Sequence, residues 1–104
     1  MSRKKEVLKN LIEYQKDSIV SRTLIEKIEG SVTLFSFDAG QSLKEHTTPF
    51  DALAYLIEGE GTFVIEGEEH ILKEGEMIIM PPNIPHAIDA IKKLKFLLIM
   101  IKAA

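Results

Sequence analysis

The chain has 104 residues and a formal net charge of −3, with 45% hydrophobic residues, 28% charged residues and no cysteine. This length and composition predict one globular domain with a single modest core. The slight negative charge gives no electrostatic basis for binding nucleic acid. The lack of cysteine excludes disulfides, thiolate catalysis and thiolate metal sites.

Membrane insertion and export are not indicated by the apolar segments. The longest apolar run is FLLIMI at residues 96–101, which is far too short to cross a bilayer. The basic N-terminus carries no apolar stretch of signal-peptide length. We therefore expect a soluble, cytoplasmic protein without a membrane partner.

The N-terminal segment, residues 1–17, differs in pattern from the rest of the chain. Apolar residues recur at helical spacing within residues 3–13, which predicts a short amphipathic helix. Its apolar face consists of Val7, Leu8, Leu11 and Ile12. This face must pack either on the domain or on a partner subunit.

From about residue 18 to residue 102 the pattern is that of short strands separated by turn residues. Eight to ten strands with nothing helical among them predict an all-β fold, an antiparallel sandwich or barrel, within one domain of residues 1–104. Turns are expected at TTPFD (residues 47–51) and at GEG (residues 59–61). Three of the four prolines, at 81, 82 and 85, predict a stiff turn that holds His86 in a defined direction.

Two histidines, His46 and His86, lie beside proline-containing turns, and each belongs to a set of residues at defined intervals after a glycine. The first spacing has five residues between its opening glycine and its histidine, and it consists of Gly40, His46, Thr48, Ala52 and Gly59. The second has five residues between its glycine and its proline, and it consists of Gly75, Pro81, Asn83, His86 and Ala90. Residues distant in sequence meet in an antiparallel barrel when their strands are neighbours, so the two histidines are candidates for one pocket.

These spacings resemble the two motifs of the cupins, small RmlC-like jelly-roll barrels, over about residues 31–101. The resemblance implies an antiparallel double-stranded β-helix, or jelly-roll barrel, and the short N-terminal helix predicted from the helical spacing precedes it. In cupins with full motifs, two histidines and a glutamate of the first motif and the histidine of the second hold one divalent metal. Here Thr48 stands at the place of the second histidine and Ala52 at that of the glutamate. The resemblance therefore implies a degenerate metal site.

His46 and His86 are the candidate metal ligands, for Zn, Ni, Fe, Mn or Cu. Catalytic zinc sites usually keep three protein ligands, and the iron facial triad needs two histidines and a carboxylate. We therefore expect no tightly bound metal. Asp51 could replace the missing carboxylate only through a one-residue shift of its strand, which would turn the neighbouring side chains as well.

The predicted pocket residues are His46, Thr48, Ala52, Met80 and His86. With alanine at the carboxylate place, such a pocket suits a small neutral or weakly acidic organic ligand. His70 lies in an acidic hairpin outside both motifs, and we interpret it as structural.

Three functions remain open from the sequence. The first is a stand-alone module that binds a small molecule. The second is a metal-dependent enzyme of the cupin type (a dioxygenase, isomerase or decarboxylase) with a reduced two-histidine site. The third is a metal-free enzyme that uses the histidines for proton transfer. Under each of them we expect a homodimer, because apolar faces of the N-terminal segment and of an edge strand need cover.

Overall fold

The computed structural model describes residues 5–103, and almost all of its regular structure is antiparallel β-sheet. The eight strands are β1 (Ile19–Lys27), β2 (Gly30–Phe37), β3 (Ser42–His46), β4 (Phe50–Ile65), β5 (Glu68–Lys73), β6 (Met77–Met80), β7 (His86–Asp89) and β8 (Leu94–Lys102). The predicted all-β antiparallel class is confirmed. The described part of the chain contains no helix that is long and apolar enough to span a bilayer.

The N-terminal helix is a single 3-10 turn, Leu8–Asn10. It is shorter than the predicted span of residues 3–13, of which residues 3 and 4 lie outside the described residues. Side chains of the sheet donate hydrogen bonds to backbone carbonyl oxygens that would accept from backbone N–H groups in a longer helix. Arg22 Nη1 donates to Leu11 O at 2.8 Å, and Lys95 Nζ donates to Lys9 O at 2.7 Å. These bonds satisfy the segment's carbonyl groups without further helical turns.

Part of the predicted apolar face of the N-terminal segment packs on the domain itself, the first of the two alternatives, whereas Val7 of that face is 57% exposed. Ile12 is 5% exposed, and Ser36 on β2 donates its hydroxyl proton to Glu13 O at 2.8 Å. Tyr14 donates to Glu58 Oε2 on β4 at 2.6 Å. These contacts fix the segment against the outer face of the sheet.

The strands follow the order β1-β2-β8-β4-β7-β3, and β5 and β6 also pair with β4. The 16-residue β4 pairs with β6 and β8 through its first half, and with β5 and β7 through its second half. One strand therefore belongs to both sides of the structure and curls the sheet into a barrel.

The predicted turn at residues 59–61 is wrong, because β4 continues through these residues. The register against β8 shifts between Leu56 and Glu58, as in a β-bulge. Gly59 has φ 85°, and a Cβ atom there would collide with the carbonyl oxygen of Lys93. The glycine thus permits a bend and a close backbone approach within a strand, where we had expected a strand end.

The core consists of inward side chains from both sides of the barrel. The ring centroid of Phe96 lies 5.6 Å from that of Phe37 and 5.5 Å from that of Phe63, and all three rings are buried. Phe96 also lines a cavity at the site described next, so the aromatic core forms part of that cavity's wall.

Candidate functional site

His46 and His86 form a cross-strand pair. His46 is the last residue of β3, His86 is the first residue of β7, and the two residues are in register. Their ring centroids lie 4.3 Å apart, and the ring planes are inclined at 67°. The fold thus brings together the two histidines that the motif spacing singled out.

The loops before β4 and before β7 are tied together by a main-chain hydrogen bond. Asn83 N donates to Thr48 O at 2.8 Å. Asn83 has φ 64°, a left-handed conformation that asparagine tolerates better than most residues, which explains how it replaces the glycine of the motif. The Thr48 hydroxyl accepts a hydrogen bond from Phe50 N at 3.1 Å, and this bond closes the turn. The strand β4 begins at Phe50, two residues earlier than predicted.

Both imidazoles are oriented by the backbone. His46 Nδ1 lies 2.9 Å from Lys44 O, and His86 Nδ1 lies 3.2 Å from Ile84 O. A carbonyl oxygen can only accept, so Nδ1 carries the proton in the neutral ring and Nε2 keeps its lone pair. The site therefore presents two Nε2 acceptors.

The two rings differ in burial. His46 is exposed, whereas His86 is 4% exposed. Burial is the main cause that lowers the pKa of His86, the hydrogen bond to Ile84 opposes it, and the nearby His46 lowers it further. His86 is therefore neutral at pH 7.

A cavity of about 290 Å³ opens at this pair. It is lined by Phe35, Leu43, His46, Thr48, Ala52, Met80, His86, Ile88, Phe96, Leu98 and Met100. All five sequence-predicted pocket residues lie on it. The sequence reasoning did not single out the six apolar ones, although the alternation of Phe96, Leu98 and Met100 along β8 places them on one face.

The strand register at Ala52 excludes a replacement of the missing carboxylate by Asp51. Ala52 is buried against the cavity and pairs with Met80 on β6 and Met100 on β8. Asp51 is exposed on the outer face. The one-residue shift that would turn Asp51 inward does not occur.

His70 lies outside the cavity, as predicted. It is part of β5, and its Nε2 lies 3.5 Å from Glu68 Oε1, with the His70 side chain half-buried and that of Glu68 exposed.

The residues present do not fit a tightly held divalent ion. Within residues 5–103 no group of three or more His, Asp or Glu side chains is placed to hold a metal. Two imidazoles remain as metal ligands. The Thr48 hydroxyl is a weak, neutral metal ligand, and its oxygen already accepts a hydrogen bond from Phe50 N. This set is one ligand short of an ordinary catalytic zinc site.

Comparisons with known proteins agree with this architecture. The family model described as a cupin domain matches residues 33–101. A protein of unknown function from Streptococcus pyogenes is 32% identical with a TM-score of 0.94, over 100% of this chain and 91% of that one. A cupin 2 conserved barrel domain protein from Leptotrichia buccalis is 40% identical with a TM-score of 0.87, over 90% of this chain and 46% of that one.

A third structure shows the likeness of fold alone. A cupin superfamily protein from Desulfitobacterium hafniense is 24% identical with a TM-score of 0.93, over 99% of this chain and 94% of that one. No curated protein matches the chain.

Proposed function

The chain belongs to the cupin family, and on that premise we propose that it binds a small organic molecule in the barrel cavity, without a resident divalent metal. One observation carries the proposal. His46 and His86 pair at 4.3 Å on a cavity of about 290 Å³ whose other lining residues are apolar except for Thr48. Small-molecule sites are typically apolar concavities with a few convergent polar groups.

The unfilled volume itself supports a ligand. Protein interiors are close-packed, and voids much larger than a water molecule are few. Here Ala52 has the smallest side chain among the lining residues, at the place where full cupin motifs carry a glutamate. The space beside Ala52 is therefore part of the cavity, and no carboxylate of the kind that full motifs carry fills it.

A metal-dependent enzyme with a two-histidine site is the second candidate. It is favoured by the two Nε2 lone pairs, since Nε2 of a ring whose Nδ1 bonds a backbone carbonyl is a suitable metal donor. It requires further ligands from water or substrate, because the described residues supply only two imidazoles. When bound, a divalent ion would act there as a Lewis acid.

Methionine methyl groups report directly on the cavity. Met80 and Met100 line it, whereas Met77 is exposed and lies elsewhere. In the ¹³C-methyl-methionine spectrum, we expect compounds from a library of small neutral and weakly acidic molecules to shift Met80 and Met100 and to leave Met77 unchanged. If every compound leaves Met80 and Met100 unchanged, the proposed function is wrong.

A matched pair of variants separates cavity binding from surface binding. Ala52→Leu fills the cavity and should abolish the shifts, whereas Asp51→Leu adds the same side chain to the outer face of the same strand and should preserve them.

Elemental analysis of the untagged protein tests the proposal that the cavity holds no resident metal. We expect substoichiometric metal. Stoichiometric metal in the parent protein that is absent from the His46→Ala, His86→Ala double variant would favour the metal-dependent enzyme.

A further inference from the structure

The cavity presents acceptors at its histidines. Nδ1 of each ring donates to a backbone carbonyl, so Nε2 of each neutral ring can only accept. Within residues 5–103 every fully buried side-chain nitrogen or oxygen has a partner, yet His86 Nε2 bonds to none of these residues. His86 Nε2 is therefore reachable from the cavity. A molecule that fills the cavity must supply a hydrogen-bond donor there, because an unpaired buried polar group is costly.

The Thr48 hydroxyl supplies the complementary group. Its oxygen accepts from Phe50 N at 3.1 Å, and its own proton donates to none of the described residues. A ligand group that donates to an imidazole and also accepts from Thr48 has both a proton and a lone pair. A hydroxyl group has both on one atom, whereas an ether or a carboxylate lacks the proton, an ammonium lacks the lone pair, and an amide carries the two on different atoms.

An ionic ligand would lack a counter-charge. Among the described residues that line the cavity there is no Asp, Glu, Lys or Arg. Burying an unpaired ion is strongly unfavourable. A neutral ligand avoids this cost.

The size and walls of the cavity suggest the rest of the molecule. A volume of about 290 Å³ corresponds to roughly ten non-hydrogen atoms, since a water molecule takes about 30 Å³ in the liquid. Phe35 and Phe96 both line it, with ring centroids 5.1 Å apart and planes within 12° of each other. Aromatic rings pair favourably with other rings in offset-stacked or edge-to-face contacts, so these walls favour a ligand with an aromatic body.

We infer that the ligand is a neutral molecule with a compact, apolar, aromatic body and one terminal hydroxyl group. The hydroxyl donates to His86 Nε2 and accepts from Thr48, and the body packs against Phe35 and Phe96. His46 closes the exposed end of the cavity. This inference rests on the proposed function and narrows its ligand to one chemical class.

Three probes of similar size test the class. They are 4-propylphenol, 4-propyltoluene, in which a methyl group replaces the hydroxyl, and 4-methylbenzoate, which is an anion with the same number of non-hydrogen atoms. Titrations followed at the Met80 and Met100 methyl groups give a Kd for each. We expect 4-propylphenol to bind about tenfold more tightly than either of the others, the size of effect expected for one buried hydrogen bond.

Equal affinities, tighter binding of the toluene or the benzoate, or no binding of any probe would overturn the hydroxyl assignment. The broader compound screen would still decide the proposed function, so the two can fail separately. His86→Phe keeps a planar ring and removes the acceptor, so the preference for the phenol over the toluene should vanish. His70→Phe, outside the cavity, should leave it unchanged. The probe comparison in the parent protein does not depend on the variants' folding.

Discussion

Asn83 N donates a hydrogen bond of 2.8 Å to Thr48 O. This bond joins the loop that precedes His86 to the loop that follows His46. Asn83 makes it with φ 64°. Left-handed backbone costs a β-branched residue more than asparagine and costs glycine nothing. A residue that lies on neither strand therefore helps to hold together the loops next to the two histidines.

Substitutions at Asn83 should separate conformation from side-chain chemistry. We expect Asn83→Gly to keep stability and probe binding, whereas Asn83→Val should lower the free energy of unfolding by about 1–3 kcal/mol and weaken binding, because valine is strained at this φ. Urea denaturation measures the first effect and probe titration the second. Equal stabilities of the glycine and valine variants would contradict the role assigned to the backbone.

Restoring the carboxylate of the full cupin motif should create a metal site. In Ala52→Glu a carboxyl group enters the cavity beside His46 and His86, and without metal its burial should destabilise the protein. Added Zn²⁺ or Ni²⁺ should then raise Tm, because three ligands become available. Asp51→Glu, on the outer face, is the control and should show no such metal effect. If the metals leave the Tm of Ala52→Glu unchanged, its side chain does not reach the histidines.

The lowered pKa of His86 predicts a pH dependence of stability. In the unfolded chain His86 titrates near 6.5, and in the folded protein it titrates lower. Below about pH 6.5 the unfolded chain therefore binds more protons, so the free energy of unfolding falls as pH falls through this range. Urea midpoints measured across the range should show the loss, and His86→Phe should reduce its slope. An unchanged slope in the variant would assign the effect to other groups.

The outer face of the sheet predicts the oligomeric state. One apolar row crosses five strands, and it consists of Ile25, Val32, Ile99, Leu53 and Ile79. At about 4.8 Å per strand the row is about 19 Å wide, enough for the apolar centre of an interface of about 800 Å² per partner. We propose that a second copy covers it through the same row about a two-fold axis.

Charge placed on the row should break that dimer. Light scattering should give a dimer mass for the parent and a monomer mass for Ile79→Lys. Ile28→Lys, at an exposed isoleucine in the turn between β1 and β2, is the matched control and should stay dimeric. A monomeric parent at micromolar concentration would show that the row is not an interface between copies.

The family and the strand pattern could be predicted because both depend on local spacing. The intervals from Gly40 to His46 and from Gly75 to His86 predicted the cupin family, and the match over residues 33–101 confirms it. Short strands separated by turn residues predicted the all-β class. These signals need no knowledge of which strands are neighbours.

Other features depended on contacts between distant segments. Gly59 and Gly61 predict a turn because glycine often ends strands, whereas Gly59 lies within β4 and packs closely against the backbone of Lys93. Helical spacing predicted a longer N-terminal helix, which contacts from Arg22 and Lys95 shorten. The residues of β2 and β8 that line the cavity could not be predicted either, because their positions depend on which strands are neighbours in the sheet.

One measurement tests the role of the paired histidines most directly. Long-range ¹H–¹⁵N spectra of the histidine rings, recorded with and without 4-propylphenol, report which ring nitrogen carries the proton and which one contacts the ligand. We expect Nδ1-protonated rings for His46 and His86, with the Nε2 signal of His86 moving on binding while that of His70 stays constant. An Nε2-protonated His86, or ring signals that do not respond to the phenol, would contradict a site in which His86 Nε2 receives the ligand's hydroxyl proton.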